Sequence, residues 1–266
     1  MTLRFARVLI DGAPRYVRLE GDEAVALSAA PWEAPRDEGA ARPLAGLSLL
    51  APVQPSKVVA IGQNYRKHSL EMGKPEPKEP LLFLKPSTAI NGPLAPILLP
   101  PESQEVHHES ELALVIGQRL CRATQAEAAA AIFALTCFND VTARDIQKRE
   151  LQHTRAKGFD TFACVGPWLV AGLSPADLRI QCRVNGQTRQ DGRSSDMVFA
   201  PAVLLAFMSH AMTLLPGDLI ITGTPAGVGP LVDGDRVEVE IEGIGTLINP
   251  VQRLGRDGVT SAGPLP

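Results

Sequence analysis

The chain has 266 residues, 45% of them hydrophobic, which is enough to bury a large core in one large domain, with or without a small appendage. Its 26 basic and 29 acidic side chains give a formal net charge of −3, which leaves no basic surplus for binding the phosphate backbone of nucleic acids. No apolar stretch approaches the roughly 18–20 residues that span a bilayer, and the four cysteines form no CxxC pair. We therefore expect a cytoplasmic protein with reduced thiols that binds neither nucleic acid nor membrane.

The first 50 residues show short strand patterns. Turn sequences at 11–14 and 21–22 separate three predicted strands, Leu3–Ile10, Arg15–Leu19 and Glu23–Leu27. Residues 30–43 are rich in alanine, proline and charge, which is typical of a linker. The sequence therefore predicts a small N-terminal β unit with its linker over residues 1–50, followed by the main domain over residues 51–266.

The main domain is predicted to consist mostly of short strands. They are the β-branched or alternating runs Lys57–Ile61, Glu111–Ile116, Trp168–Ala171, Leu178–Val184, Leu219–Thr222 and Arg236–Ile241. The predicted helices are Tyr65–Met72, an alanine-rich one from a capping box at Thr124 to about Leu135, and Pro201–Met212. Asn185-Gly186 predicts a two-residue hairpin turn. The irregular alternation of these elements favours a strand-dominated α+β fold over a doubly wound one.

Paired acidic residues begin the most apolar of these strands, in the segment His107–Gly117. Side chains two apart on a strand point to the same face, so Glu109 and Glu111 project together and repel unless a cation or a proton lies between them. Asp140, further along the chain, could complete a cluster of three carboxylates. Such oxygen ligands suit Mg²⁺, Mn²⁺ or Ca²⁺. The alternative is a solvated polar end of the strand, and the spacing alone leaves both open.

A second candidate site lies on the short helix after the glycine at 62. His68 and Glu71 are three residues apart and share a helix face, where a carboxylate would orient the imidazole and raise its basicity. Such a pair can activate water as a general base. The alternative is a surface ion pair.

Further polar residues follow Asp140 in the chain. Arg144 and Gln147 are three apart and could face one pocket as donors to a substrate carboxylate, and Lys157 could place a positive charge at a reacting oxygen. The glycine-rich turn around Thr224 is neither a Walker loop nor GxGxxG, although its amides and the Thr224 hydroxyl could bind a carboxylate. The alternative is that all of these are ordinary exposed polar residues.

Taken together and in this order, these segments resemble the fumarylacetoacetate hydrolase family. The resemblance runs from about Lys57 to Val251 and is closest to the short acylpyruvase and oxaloacetate decarboxylase branch. The segments that carry it are Gly62–Glu71, Phe83–Ser87, His107–Leu112, Asp140–Gln147, Lys157–Asp160 and Pro216–Gly229.

The resemblance implies a mixed β-sandwich or roll in a homodimer. It also implies a divalent ion, Mg²⁺ or Mn²⁺ with Ca²⁺ as a further option, held by Glu109, Glu111 and Asp140. The implied catalytic residues are the water-activating pair His68 and Glu71, assisted by Lys157. The implied substrate-binding residues are Arg144, Gln147, Thr224 and Lys85.

The activity implied by this resemblance is hydrolysis of a C–C bond in acylpyruvate-type 2-oxoacids, together with decarboxylation of oxaloacetate. The alternative is an isomerase or hydratase of muconate-type 2-hydroxy-dienoates in aromatic catabolism, and a third is a non-catalytic, metal-stabilised binding protein. The sequence departs from the longer family members at Asn64, which lies where they have a fourth acidic ligand. Cys164 lies where many relatives have proline, and we expect no catalytic role for it.

Overall fold

Strands dominate the computed structural model of the protein, which describes residues 2–255 and the backbone of residues 259–260 and 263–264. The strands are β1 Leu3–Ile10, β2 Ala13–Glu20, β3 Glu23–Leu27, β4 Asp37–Pro43, β5 Leu49–Leu50, β6 Val58–Gly62, β7 Leu81–Lys85, β8 Ile90–Asn91, β9 Ile97–Leu99, β10 Val106–His108, β11 Ser110–Ile116, β12 Ile132–Asp140, β13 Thr142–Ala143, β14 Ala163–Ala171, β15 Arg179–Val184, β16 Gln187–Arg193, β17 Leu219–Ile221, β18 Gly229–Pro230, β19 Arg236–Ile241, β20 Gly245–Arg253, β21 Val259–Thr260 and β22 Gly263–Pro264. The helices are α1 Arg66–Glu71, α2 Gln125–Ala130, α3 Arg144–Arg149, α4 Thr154–Lys157 and α5 Pro201–Ala211, with 3-10 turns at Pro31–Glu33, Ser87–Ala89 and Ser194–Asp196.

A twelve-stranded sheet runs through the molecule in the order β4-β3-β2-β1-β14-β12-β11-β17-β6-β7, with β5 beside β1 and β8 beside β14. The N-terminal strands belong to this sheet, because β1 pairs antiparallel with β14, Phe5 opposite Leu169. A second sheet has the order β16-β15-β19-β20-β9, and a small third sheet has the order β13-β10-β18.

The core lies on both faces of the large sheet. On β11, Leu112 and Leu114 join the cluster that also contains Val237 and Val239 of the second sheet, whereas Ala113 lies in the cluster on the opposite face. Both faces of this strand are therefore buried, which explains the unbroken apolar run from Leu112 to Ile116. The predicted strand-dominated α+β fold, with a mixed sandwich of packed sheets, is confirmed.

Two predictions about local structure are wrong. Part of the predicted linker, Asp37–Pro43, is strand β4, paired with β3. The capping box at Thr124 starts helix α2 as predicted, but the helix ends at Ala130 and is followed by strand β12. Pairing of β12 with β11 on one side and β14 on the other overrides the helical pattern of this stretch, because strand propensity depends strongly on tertiary context.

The hairpin predicted at Asn185-Gly186 is confirmed between β15 and β16, and both residues have positive φ, 51° and 76°. The other predicted elements agree with the structure to within a few residues, except that β14 begins at Ala163, before the predicted start. Within the described part of the chain, no helix has the length and apolar character needed to cross a membrane.

Candidate active site

Three carboxylates meet where β11 and β12 run side by side. Glu109 joins β10 to β11, Glu111 lies on β11 and Asp140 ends β12, and the backbone N–H of Asp140 donates to the carbonyl of Glu109 at 2.8 Å. One oxygen of each carboxylate lies within 4.8 Å of the others, and all three side chains are buried. The structure therefore brings together the three predicted metal ligands, and their ligand role stays a prediction.

Three basic side chains bind two members of this cluster. The Lys157 ammonium donates to Glu109 at 2.6 Å and to Asp140 at 2.5 Å, Arg144 donates to Glu109, and Lys85 donates to Asp140. Burial favours the neutral form of Glu109, but Lys157 and Arg144 outweigh it and hold the pKa of this carboxyl well below its usual range. Burial opposes the charge of Lys157 too, and there the charges of Asp140 and Glu109 prevail and raise its pKa.

Glu111 differs from its two neighbours in the cluster. Its carboxylate accepts a hydrogen bond from the backbone N–H of Gly223 at 2.6 Å, and none of the described lysine or arginine side chains pairs with it. Burial and the charge of Asp140 therefore raise the pKa of Glu111 well above its usual range. Three converging oxygen donors with one uncompensated charge fit a hard divalent cation.

The predicted dyad lies on α1. His68 Nδ1 is 3.0 Å from one oxygen of Glu71, and the other oxygen accepts from the backbone N–H of Gly227 at 3.0 Å. The imidazole is buried and Glu71 is partly exposed. Glu71 is therefore fixed at both oxygens and orients the ring.

An open cavity joins His68 to the carboxylate cluster. Seven of the predicted site residues line it: His68, Glu109, Glu111, Arg144, Gln147, Lys157 and Thr224. Glu71, Asp140 and Lys85 are absent from its lining. Lys85 contacts Asp140 and the carbonyl of Val141, so within the described structure its contacts are with the carboxylate cluster and not with the cavity.

Arg144 and Gln147 share a face of α3, as predicted. One arm of the Arg144 guanidinium donates to Gln147 at 2.5 Å while another binds Glu109, so the arginine is fixed at two points. The Thr224 hydroxyl donates to the carbonyl of Ser110 at 2.8 Å, which holds the glycine-rich turn against β11. The side chains of Arg144 and Thr224 therefore lie at the cavity wall in orientations fixed by protein partners.

Several residues at the site were not predicted from sequence. Lys74 and His153 also line the cavity, and burial together with the charge of Lys157 lowers the pKa of His153. The side-chain amide nitrogen of Gln190, on the second sheet, donates a hydrogen bond to the Thr224 hydroxyl at 2.7 Å. The Tyr65 hydroxyl is buried without a hydrogen-bond partner among the described residues, and burial and the charge of Glu111 raise its pKa.

Two residues at which the sequence departs from relatives have structural contacts. The side-chain amide of Asn64 donates to the carbonyl of Thr222 at 2.8 Å and its oxygen accepts from Phe199 at 2.8 Å, so it ties two segments together. Cys164 is buried and its thiol donates to the carbonyl of Thr161 at 3.3 Å. Burial raises the pKa of this thiol to about 12, which suits an inert cysteine.

The chain matches two protein-family models and several proteins of known sequence or structure. Residues 57–252 match the family described as fumarylacetoacetate (FAA) hydrolase C-terminal, and residues 3–52 match the one described as Rv2993c-like, N-terminal. Protein Rv2993c of Mycobacterium tuberculosis is 51% identical over 229 residues, which is 85% of this chain and 86% of that protein.

Two further relatives carry names that describe a reaction. The mitochondrial oxaloacetate tautomerase FAHD2A of Bos taurus is 46% identical over 222 residues, 79% of this chain and 71% of that protein. The crystal structure of 2-hydroxyhepta-2,4-diene-1,7-dioate isomerase from Mycobacterium marinum matches with a TM-score of 0.89 at 45% identity, covering 96% of this chain and 100% of that one. The chain therefore belongs to the fumarylacetoacetate hydrolase family.

Proposed function

We propose that this protein is a Mg²⁺- or Mn²⁺-dependent isomerase that moves a proton between carbon and oxygen of small 2-oxo dicarboxylic acids, as in the keto–enol tautomerisation of oxaloacetate. One observation carries the proposal: a single cavity is lined by carboxylates of the buried cluster, by a histidine base and by the donors Arg144 and Lys157. Proton transfer beside a carbonyl needs these three kinds of group.

The cluster Glu109, Glu111 and Asp140 would hold the divalent ion. When bound, such an ion supplies a Lewis acid that attracts the carboxylate and keto oxygens of a 2-oxoacid and stabilises the charge of its enolate. Arg144 and Gln147 would bind the substrate carboxylate, because both line the cavity and Arg144 is fixed in place by Glu109.

His68 is the proposed general base. Its Nδ1 is bonded to Glu71 and Nε2 has no hydrogen-bond partner among the described residues, so Nε2 is the nitrogen left to accept the C3 proton. Lys157 would donate a hydrogen bond to the oxygen that gains charge, since its raised pKa keeps it protonated.

The names of the relatives favour isomerisation over the hydrolysis that the sequence led us to expect. The tautomerase and the isomerase named above are 46% and 45% identical to this chain, and each name refers to a dicarboxylate, whereas the solved structures named as hydrolases of fumarylacetoacetate and maleylpyruvate are 33% identical. Lys74 would bind the second carboxylate of such a substrate, because it lines the cavity and has no ion-pair partner among the described side chains.

Hydrolysis of acylpyruvates is the second candidate. The His68–Glu71 pair has the contact that water activation requires, and Glu71 is itself held by Gly227. Decarboxylation of oxaloacetate would use the same ion-binding cluster without any water attack.

The predicted homodimer stays a prediction, which sedimentation velocity would test.

The deciding experiment measures three rates with one preparation, in Mg²⁺, in Mn²⁺ and after EDTA treatment: oxaloacetate tautomerisation, oxaloacetate decarboxylation and acetylpyruvate cleavage. We expect tautomerisation to be the fastest, to disappear with EDTA and to return with either ion. Faster acetylpyruvate cleavage would instead support the second candidate. Full activity after exhaustive EDTA treatment would contradict both.

A further inference from the structure

A bulge in the second sheet turns one glutamine into the core. In the β15–β16 hairpin, Arg183 pairs with Thr188 and Cys182 pairs with Gln190, so Arg189 is an extra residue. A bulge reverses which side chains face inward and redirects the strand. Accordingly Thr188 and Arg189 are exposed, and Gln190 is 0% exposed.

The Gln190 amide binds two separate parts of the active site. Its oxygen accepts from the backbone N–H of Ser110 at 2.9 Å and lies 3.0 Å from His108 Nδ1, the residues on either side of Glu109. Its nitrogen donates to the Thr224 hydroxyl and to the carbonyl of Pro225, both at 2.7 Å. The backbone partners fix the orientation of the amide, because an N–H can only donate and a carbonyl can only accept.

Two glycines allow the turn after Thr224 to approach β16 this closely. A Cβ at Gly227, whose φ is +102°, would lie 2.1 Å from the carbonyl oxygen of Arg189. A Cβ at Gly192 would lie 2.7 Å from Cβ of Pro225. The bulge and the turn are therefore fitted to each other without room for a side chain between them.

We propose that Gln190 is a positioning residue that, together with the hydrogen bond from Thr224 to Ser110, fixes Thr224 relative to the Glu109 segment and so helps to set the distance between the substrate-binding turn and the proposed ion-binding cluster. The inference deepens the proposed function and rests on it. Gln190 is not on the cavity lining, so it acts through Thr224 and not by touching the substrate. The Glu109 carboxylate keeps its own bonds to Lys157 and Arg144, so ion binding should not depend on Gln190.

The test is a double-mutant cycle between Gln190→Met and Thr224→Val, read as the affinity of the Mn²⁺-loaded protein for oxalate, a mimic of the enolate. Methionine keeps the volume of the glutamine and removes all of its hydrogen bonds. We expect each single change to weaken oxalate binding about tenfold or more. The double variant should bind oxalate almost as tightly as the single variant with the lower oxalate affinity, because the two side chains act through one contact. The Mn²⁺ affinity of all variants should stay within about threefold of the native value. Gln187→Met, on the exposed start of β16, is the matched control and should bind oxalate normally.

Independent losses that multiply in the double variant, or normal oxalate binding by Gln190→Met, would overturn the proposal. If Gln190→Met does not fold, Gly192→Ala replaces it, because its methyl group displaces Pro225 without touching the Gln190 side chain, and it should weaken oxalate binding likewise.

Amide hydrogen exchange supplies a readout that needs no ligand. Faster exchange at residues 223–227 in the variant supports the proposal, and unchanged exchange there contradicts it. Native protein that fails to bind Mn²⁺ and oxalate would refute the proposed function, whereas the exchange result would still decide the role of Gln190.

Discussion

The two halves of the active site are built very differently. Glu111 and Asp140 lie on β11 and β12, central strands of the large sheet, where every residue of β11 is buried. His68 lies on α1, a helix of six residues that has no side-chain N-cap and whose Leu70 is 76% exposed. Elements with few buried contacts open more readily than the core of a sheet.

This difference teaches that the proposed ion ligands and the proposed base have separate structural supports. The carboxylates are held in place by the sheet and by three basic side chains, before any substrate arrives. The proposed base, His68, depends on a short helix whose contacts with the rest of the site include the hydrogen bond from Gly227 to Glu71. Substitutions in the two regions should therefore change different measured quantities.

The largest effect is expected from His68→Gln, which removes the base and leaves the carboxylate cluster untouched. The rate constant kcat for tautomerisation should fall about 10²- to 10⁴-fold, the usual contribution of a positioned general base. Mn²⁺ affinity, measured by titration, should not change. His210→Gln, on the exposed end of α5, is the control and should keep full activity. A loss of Mn²⁺ affinity in His68→Gln would show that the two regions are not separate.

Glu111→Gln should lower the affinity for Mn²⁺, the quantity that His68→Gln should leave unchanged. The glutamine oxygen can still accept the hydrogen bond from Gly223, and no ion pair is broken, so the variant should fold. Replacing the charged carboxylate by a neutral amide should weaken Mn²⁺ binding at least about tenfold, which a Mn²⁺ titration of the metal-free protein measures. The exposed Glu102 provides the control Glu102→Gln. Unaltered Mn²⁺ affinity in Glu111→Gln would remove this residue from the ligand set.

Lys74→Glu tests whether Lys74, on the cavity lining, binds a second substrate carboxylate. Reversing the charge should raise the KM for oxaloacetate about tenfold, the value of one partly solvated charge-assisted hydrogen bond. The KM for the monocarboxylate 2-oxobutyrate, followed by exchange of its C3 hydrogens in heavy water, should stay the same. Lys78→Glu lies on the same segment, outside the cavity lining, and serves as control. Equal increases for both substrates would argue against a second carboxylate site.

The smallest effect concerns the stability of the metal-free protein. Because burial and Asp140 raise the pKa of Glu111 in the folded protein, the folded state binds this proton more tightly than the unfolded state does. The free energy of unfolding should therefore fall as pH rises above 4.5, the ordinary glutamate value, by up to about 1.4 kcal/mol per pH unit until the raised pKa is reached. Urea unfolding in EDTA would measure this slope. Glu111→Gln should lack it, and a slope that survives in the variant would assign it to another group.

Alternation along a strand was enough to place Glu109 and Glu111 together, because their spacing of two residues fixes their common face. Helical spacing likewise predicted the His68–Glu71 contact. From the residues alone, Asp140 was one possible third carboxylate, and its assignment to the cluster followed from the family resemblance, since the strand that carries it was partly interpreted as the end of α2. That strand is defined by its neighbours β11 and β14, and no local pattern contains them.

Gln190 could not be found from its sequence neighbourhood. Without the bulge, the simple alternation of β16 would place Gln190 on the same face as the exposed Thr188. The extra residue, Arg189, shifts the alternation by one position, so that Gln190 faces the core. Only the pairing of β16 with β15 shows that Arg189 is the extra residue. A local sequence pattern therefore misassigns a buried polar residue wherever a partner strand imposes a bulge.

The pairing of β1 with β14 means that the N-terminal strands cannot be treated as a removable extension. Without them, the main-chain N–H and C=O groups of β14 that bind residues 3–5 would form an open strand edge beside the apolar side chains of the large sheet. Such an edge is a template for further strands, so a truncated protein would tend to self-associate through it. We therefore expect the first fifty residues to protect the rest of the large sheet against aggregation.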